Sequence, residues 1–215
     1  TSRMFSNYLH SQFSISNEKI EYLPQYAEGI FEQIFPREED GIFNFMFAGN
    51  IGTAQAVEII IKAAEILKNE PVRFHIVGSG TDLERLQNIG KDLNNIIFYG
   101  RRPIAEMPGL YAMADAMLVT LADDPVLSLT LPGKVQSYMA VGKPIIGAID
   151  GETKSVIEDA QCGFCGKAGN AKELAENIKR FITSDKRNEM GENARKYYEK
   201  NFKQELFMDK LENIF

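Results

Sequence analysis

Tryptophan is absent from this 215-residue sequence, histidine and cysteine occur only twice each, and basic residues are outnumbered by acidic ones. Each scarcity removes a class of function. With 24 Lys and Arg against 30 Asp and Glu, the net charge is -6 at pH 7, so the basic footprint of a nucleic-acid-binding protein is missing. The lysines are dispersed, which leaves no polybasic patch for a membrane surface. There is no apolar run of about eighteen residues and no signal-peptide pattern, so a soluble chain is expected. The two cysteines form a single CxxC, Cys162-Gly163-Phe164-Cys165, with no second pair to complete a zinc site and with His10 and His75 far away in sequence. The motif does not open a helix, as a thioredoxin-like pair would, so two ordinary reduced thiols are expected.

What is present is apolar material in a regular order. Hydrophobic residues make up 44% of the chain, enough for a substantial core, and the length exceeds one typical domain but is short for two. Met4, Phe5, Tyr8, Leu9 and Phe13 have helical spacing, so residues 1–16 read as a helix that packs on something. Residues 20–24 form a short extended run, and 25–41, with Pro36 and the charges of 37–40, read as a connecting region. From 42 onward the pattern alternates. Residues 42–48 are a continuous apolar run, as for a strand covered on both faces, and 72–77, 96–99, 116–120 and 144–149 repeat it. Helices are expected over 54–69, from a cap at Thr81 or Asp82, up to Ala114, over 153–160, and near 171–184, 186–200 and 204–215. After Cys162-Gly163 either a short strand or a turn fits. Five strands alternating with helices predict an α/β fold, a doubly wound parallel sheet with helices on both faces.

In such a sheet ligands bind beyond the carboxyl ends of the strands. Gly49 and Gly52 follow the first strand, Gly78 and Gly80 the second, and Gly100 the third. Each alone could simply make a tight turn. The stretch 131–147 adds a helix start of an unusual kind. Pro132 suits the first helical position, and Gly142 with Pro144 makes a stop signal. Lys134, however, sets a cation in the first turn, against the helix dipole. Free N–H groups at Gly133, Lys134 and Val135 beside that lysine favour an anion such as a phosphate. A lysine that merely reaches into solvent is the bland alternative. Three glycine turns converging on the same edge tip the balance toward a nucleotide or phosphate cleft. The Rossmann dinucleotide fingerprint is incomplete at Gly78-Ser79-Gly80, and neither a P-loop nor a serine nucleophile elbow occurs. Asp123 and Asp124 read as solvated loop carboxylates and His75, inside an apolar strand, as a core residue.

Several blocks together resemble one family: Phe47-Ala48-Gly49-Asn50-Ile51-Gly52, His75-Ile76-Val77-Gly78-Ser79-Gly80, Phe98-Tyr99-Gly100-Arg101, Ala114-Asp115-Ala116, and Leu131-Pro132-Gly133-Lys134 with Tyr138-Met139-Ala140-Val141-Gly142-Lys143-Pro144. In order and spacing, over about residues 17–200, they are similar to the carboxy-terminal, donor-binding half of the retaining GT-B glycosyltransferases of family 4, the glycosyl transferases group 1. The most similar subgroup is bacterial surface-polysaccharide enzymes, including those resembling fucosamine transferases. The resemblance implies a Rossmann-like half of a GT-B fold. Residues 1–24 would then be the end of an amino-terminal acceptor domain otherwise absent here, and 25–41 a linker. Residues 42–202 would be the nucleotide-sugar-binding domain, and 203–215 a helix crossing back.

It further implies a transferase of the hexosyltransferase type that moves a sugar from a nucleotide-sugar, usually UDP-linked, to a glycan or lipid-linked acceptor in capsule or lipopolysaccharide synthesis. No metal or other cofactor is expected, the location is cytoplasmic or peripheral at the inner face of the membrane, and these residues alone would be inactive. Carried over by position, Gly49, Asn50 and Gly52 line a phosphate-facing loop, with Gly78 on the adjoining turn. Gly100 and Arg101 present main chain to the base. Thr130, Leu131, Gly133 and the catalytic Lys134 meet the diphosphate. Many members carry a Glu-x7-Glu pair, which here falls on Leu129 and Ser137; Ser137 can still hydrogen-bond a ribose, and Glu152 is a candidate replacement carboxylate. Two other readings compete. A UDP-sugar 2-epimerase half would need cleft histidines and carboxylates that are scarce here. A non-catalytic nucleotide-binding or signalling module of the receiver type would need acidic residues where these strands end in Gly-Asn and Gly-Ser.

Overall fold

The computed structural model describes residues 2–33 and 41–214, so Pro36 and the charges of 37–40 lie outside the described residues. Six parallel strands form one sheet: β1 (Phe43–Ala48), β2 (Val72–Val77), β3 (Ile96–Gly100), β4 (Ala116–Thr120), β5 (Ile145–Ala148) and β6 (Gly163–Gly166). Their order is β3-β2-β1-β4-β5-β6, so the chain winds outward first on one side of β1 and then on the other. This is the doubly wound, Rossmann-like α/β architecture, and its switch point lies between β1 and β4. The sixth strand settles the alternative left open after Cys162. It has two glycines and no β-branched residue among its four, and therefore no strand signature.

The helices are α1 (Met4–Phe13), α2 (Glu58–Ile66), α3 (Leu83–Gly90), α4 (Met107–Met113), α5 (Gly133–Ala140), α6 (Glu152–Asp159), α7 (Ala171–Thr183), α8 (Arg187–Asn201) and α9 (Gln204–Glu212). Strand residues alternate between two cores. Phe45, Phe47, Phe74 and Ile76 face α2 and α7, whereas Met46, Met117 and Val119 face the layer of α4, α5 and α8. Phe45 sits 5.9 Å from both Phe74 and Phe181, and each such fully buried ring contributes about 2–3 kcal/mol of burial free energy. Ala27 and Phe31, in the stretch before the sheet, are also buried, and Phe31 stacks on Tyr111 at 5.4 Å.

Three local expectations need correction. The helix expected over 54–69 is split: a 3-10 turn (Thr53–Gln55) is followed by Ala56 at φ +46, and α2 starts only at Glu58. Neither Thr81 nor Asp82 caps α3 with its side chain, because the Asp82 carboxylate pairs with Arg85 at 3.0 Å instead. Pro132 stands one place before α5, with extended ψ of 136, rather than in its first turn. The extended run 20–24 pairs with no strand among the described residues.

Candidate functional site

Three strand-end turns are stitched together by main-chain hydrogen bonds before any side chain is considered. Gly49 N donates to Val77 O at 3.0 Å, Ile51 N to Ser79 O at 2.9 Å, and Gly78 N to Gly100 O at 2.9 Å. The fit is so close that a Cβ on Gly78, at φ +138, would lie 1.8 Å from the Gly49 carbonyl oxygen. Glycine is therefore required there by contact as well as by conformation. Tyr138 locks α5 onto the same place: its buried hydroxyl accepts from Ala48 N at 2.9 Å and donates to Ala48 O at 3.0 Å. Burial raises the pKa of that hydroxyl, so it stays a neutral donor.

α5 thus presents Lys134 at a defined point. Its side chain stretches over the end of β1 and places Nζ 3.9 Å from the centroid of the Phe47 ring, which belongs to the opposite core. Nζ donates to Gln55 Oε1 at 2.6 Å and would lie 2.7 Å from a Cβ on Gly49, so the glycine makes room for the lysine. Among the described residues Lys134 forms no ion pair. Burial without a carboxylate lowers its pKa to about 7, since the charged form loses hydration that nothing negative replaces. The first-turn N–H count differs from expectation. Val135 N donates to Pro132 O at 2.9 Å, which leaves Gly133 and Lys134 as donors with no acceptor among the described residues.

These groups border a cleft of about 390 Å³ that brings together Gly49, Asn50, Gly78, Arg101 and Lys134, with Tyr111 at its wall. A second hollow of about 640 Å³ adjoins it through Arg101, Arg102 and Met107. The other expected residues lie outside the cleft lining. Gly52 opens the turn that carries Gln55. The carbonyl of Gly100 is engaged by Gly78, and Leu131 is buried in the core. Thr130 Oγ1 donates to Leu127 O at 2.7 Å, while its carbonyl accepts from Thr153 Oγ1 at 2.8 Å. Gly133 is exposed at the helix start, and Ser137 Oγ donates back to Gly133 O at 3.5 Å. Glu152, the candidate ribose ligand, is 3% exposed, and its two oxygens accept from Arg3 N at 3.1 Å and Met4 N at 3.3 Å.

The remaining candidates have structural employment. His75 is buried between Tyr99 Oη and Asn44 Oδ1, each at 2.8 Å. Asp124 Oδ1 accepts from Val126 N and Leu127 N, and Asp123 faces Lys167 at 3.9 Å. Cys162 and Cys165 are free thiols whose pKa values burial pushes up to about 12, so both are protonated and inert. Among the described residues no cluster of three His, Cys, Asp or Glu could hold a metal ion, and no helix is long and apolar enough to cross a membrane. Phe47, Gln55 and Tyr138 are the site residues that motif reading missed.

The sequence profile of the glycosyl transferases group 1 matches residues 30–197. The chain belongs to that family. This group 1 domain is 29% identical over 142 residues to a probable glycosyltransferase WbjE of Pseudomonas aeruginosa, a match covering 60% of the chain and 35% of that relative. It thus spans about a third of that relative's length. Its fold superposes on a glycosyltransferase of Rickettsia africae with a TM-score of 0.85 at 17% identity, covering 99% of the chain and 61% of the other. It also superposes on HepE of Anabaena, determined in complex with UDP and glucose, with a TM-score of 0.70 at 19% identity, covering 100% of the chain and 52% of the other. The architecture is therefore that of a GT-B half-domain, with the cleft at the strand ends of its sheet.

Proposed function

We propose that this domain binds the nucleotide-sugar donor of a retaining glycosyltransferase, with the paired phosphates over the start of α5 and the Lys134 ammonium beside them. The observation that carries the reading is the placement of Nζ inside the strand-end cleft with no carboxylate to neutralise it. When the bond between the anomeric carbon and the diphosphate breaks, negative charge develops on the leaving phosphate. A fixed cation and the N–H groups of Gly133 and Lys134 stabilise that charge more than they stabilise the intact donor. Asn50 and Arg101 border the same space and would contact the phosphates and the base. The donor is UDP-linked, a reading supported by the UDP bound to HepE. The acceptor is a glycan or lipid-linked glycan held by a second domain at the cytoplasmic face of the membrane.

Calorimetry of the 215-residue chain with UDP tests this. Weak saturable binding, lost in Lys134→Ala, is expected, without hydrolysis or transfer. Absence of any binding heat at millimolar UDP would overturn the proposal.

A further inference from the structure

Gln55 is fixed before its side chain begins. Its backbone carbonyl accepts the Thr120 hydroxyl at 2.5 Å, and the preceding carbonyl, of Ala54, accepts from Ala122 N at 3.0 Å. These two ties bind the turn Thr53–Gln55 to the end of β4, and Ala56 then leaves the turn in the left-handed region. From that anchored backbone Oε1 reaches Lys134 Nζ at 2.6 Å, across 79 positions of sequence. The Phe47 ring meets the same ammonium at 3.9 Å. An ammonium has three N–H donors, and one is spent on Gln55, so two are left for a ligand.

We propose that Gln55 is a positioning residue for the donor phosphates, holding Lys134 extended across the end of β1 while leaving its charge uncancelled. The proposal rests on the donor-site reading above. The choice of an amide has a physical reason. A carboxylate at the same distance would form a full ion pair with Nζ, hold the proton on it, and compete with the diphosphate for the same cation. A side chain without an acceptor would let the lysine swing out, and ordering it again would count against binding. A neutral acceptor fixes the geometry and keeps the field of the cleft positive.

The test uses the whole chain with Gln55→Glu, Gln55→Ala and Gln55→Asn, plus Lys134→Ala. UDP affinity is measured by calorimetry across pH 6 to 9, a range chosen around the amine pKa of about 7. The other charged groups bordering the cleft are Arg101 and Arg102. Ionisation of the nucleotide's own phosphate is common to the parent and the Gln55 variants and cancels when their profiles are compared. Gln55→Glu is expected to weaken UDP binding about tenfold or more and to move the alkaline fall in affinity to higher pH, since a charged partner changes affinity on that scale. Gln55→Ala should weaken binding by a smaller factor, about three- to tenfold, with Gln55→Asn between it and the parent.

A ligand-free measurement accompanies these. The Lys134 amine, followed by NMR, should titrate at higher pH in Gln55→Glu than in the parent chain. If the Gln55 variants are folded by circular dichroism and bind UDP with the parent's affinity and pH profile while Lys134→Ala does not, the role of Gln55 is overturned and the donor site stands. An unmoved Lys134 titration in Gln55→Glu overturns it independently. Failure of the parent chain to bind UDP would overturn the donor site and this role together.

Discussion

The two helices that follow β4 and β5 begin on the same edge of the sheet, and their first turns carry charges of opposite sign. α6 has an acidic residue, Glu152, in its first turn, where the helix dipole favours one. That carboxylate is buried and closed off by the N–H groups of Arg3 and Met4, so it caps the start of α1 as well. Neither helix has a side-chain cap, but α5 has no acidic residue in its first turn and has a lysine directed across the cleft. The neighbouring loops are tied together by Thr153 Oγ1 to Thr130 O and by Ser2 Oγ to Leu129 O, so the difference is not one of location. The first-turn charge of α6 is spent on the protein's own chain; that of α5, on the proposed reading, is matched by an anion. A first-turn charge of the favoured sign can therefore be an internal fastening, whereas under the proposed function one of the disfavoured sign marks where a ligand completes the balance.

The sharpest way to break this contrast is to remove each charge. Lys134→Ala should reduce UDP affinity by roughly 2–3 kcal/mol, the scale of hydrogen bonds to a charged group, without lowering the unfolding free energy, because the desolvation cost of the buried amine is removed with it. Calorimetry and chemical denaturation measure the two quantities on the same sample. Glu152→Ala should do the reverse. UDP binding is unchanged, and stability falls by about 1–2 kcal/mol because two N–H groups at the start of α1 lose their acceptor. Hydrogen exchange should quicken at Arg3 and Met4 first. If Glu152→Ala instead abolishes UDP binding with stability intact, Glu152 serves the ligand and the contrast between the helix starts collapses.

Gly49→Ala sharpens the contrast from the other side of the cleft. The new Cβ would lie 2.7 Å from Lys134 Nζ and 3.0 Å from Cε, at a backbone φ of +148. The lysine can yield because it is flexible, so the backbone strain lowers stability by about 1–2 kcal/mol. Displacing the amine from Phe47 and Gln55 should weaken UDP binding roughly tenfold, a loss of about 1.4 kcal/mol. Binding at the parent affinity would show that Nζ does not need the position it occupies.

How much of this was legible in the sequence depends on the reach of each interaction. The long apolar runs of β1, β2 and β4 announce buried parallel strands because their signal is contained in each strand. β6 has no such signal: the pairing of Gly163–Gly166 with β5 makes it a strand. The break at Ala56 went unseen because it follows from ties to Thr120 and Ala122 on another strand's end. In the site, Lys134 stood out through local rules for helix starts. Gln55 and Tyr138 did not, since their partners are 79 and 90 positions away and no local pattern distinguishes them from a turn glutamine and a core tyrosine. Glu152 drew attention as a carboxylate at the right edge of the sheet, but its partners Arg3 and Met4 are 149 and 148 positions away.

The last expected effect is the pH dependence of the α5 helix start. Lys134 titrates at about 7 in the folded chain, against an ordinary lysine value of about 10.4 when unfolded. The unfolded state therefore binds more protons between those limits, and stability rises as pH increases through that window. Below it both states are protonated and the lysine contributes a constant cost of desolvation. Lys134→Met should flatten this alkaline rise, with denaturation midpoints at pH 7 and pH 9 drawn closer than in the parent. A bound diphosphate reverses the preference, because it stabilises the ammonium, so UDP binding at pH 8 should take up protons from the buffer. Calorimetric enthalpies in buffers of different ionisation enthalpy measure that uptake. Uptake equal in the parent and in Lys134→Met would assign the proton to another group and leave the helix start of α5 no more ligand-dependent than that of α6.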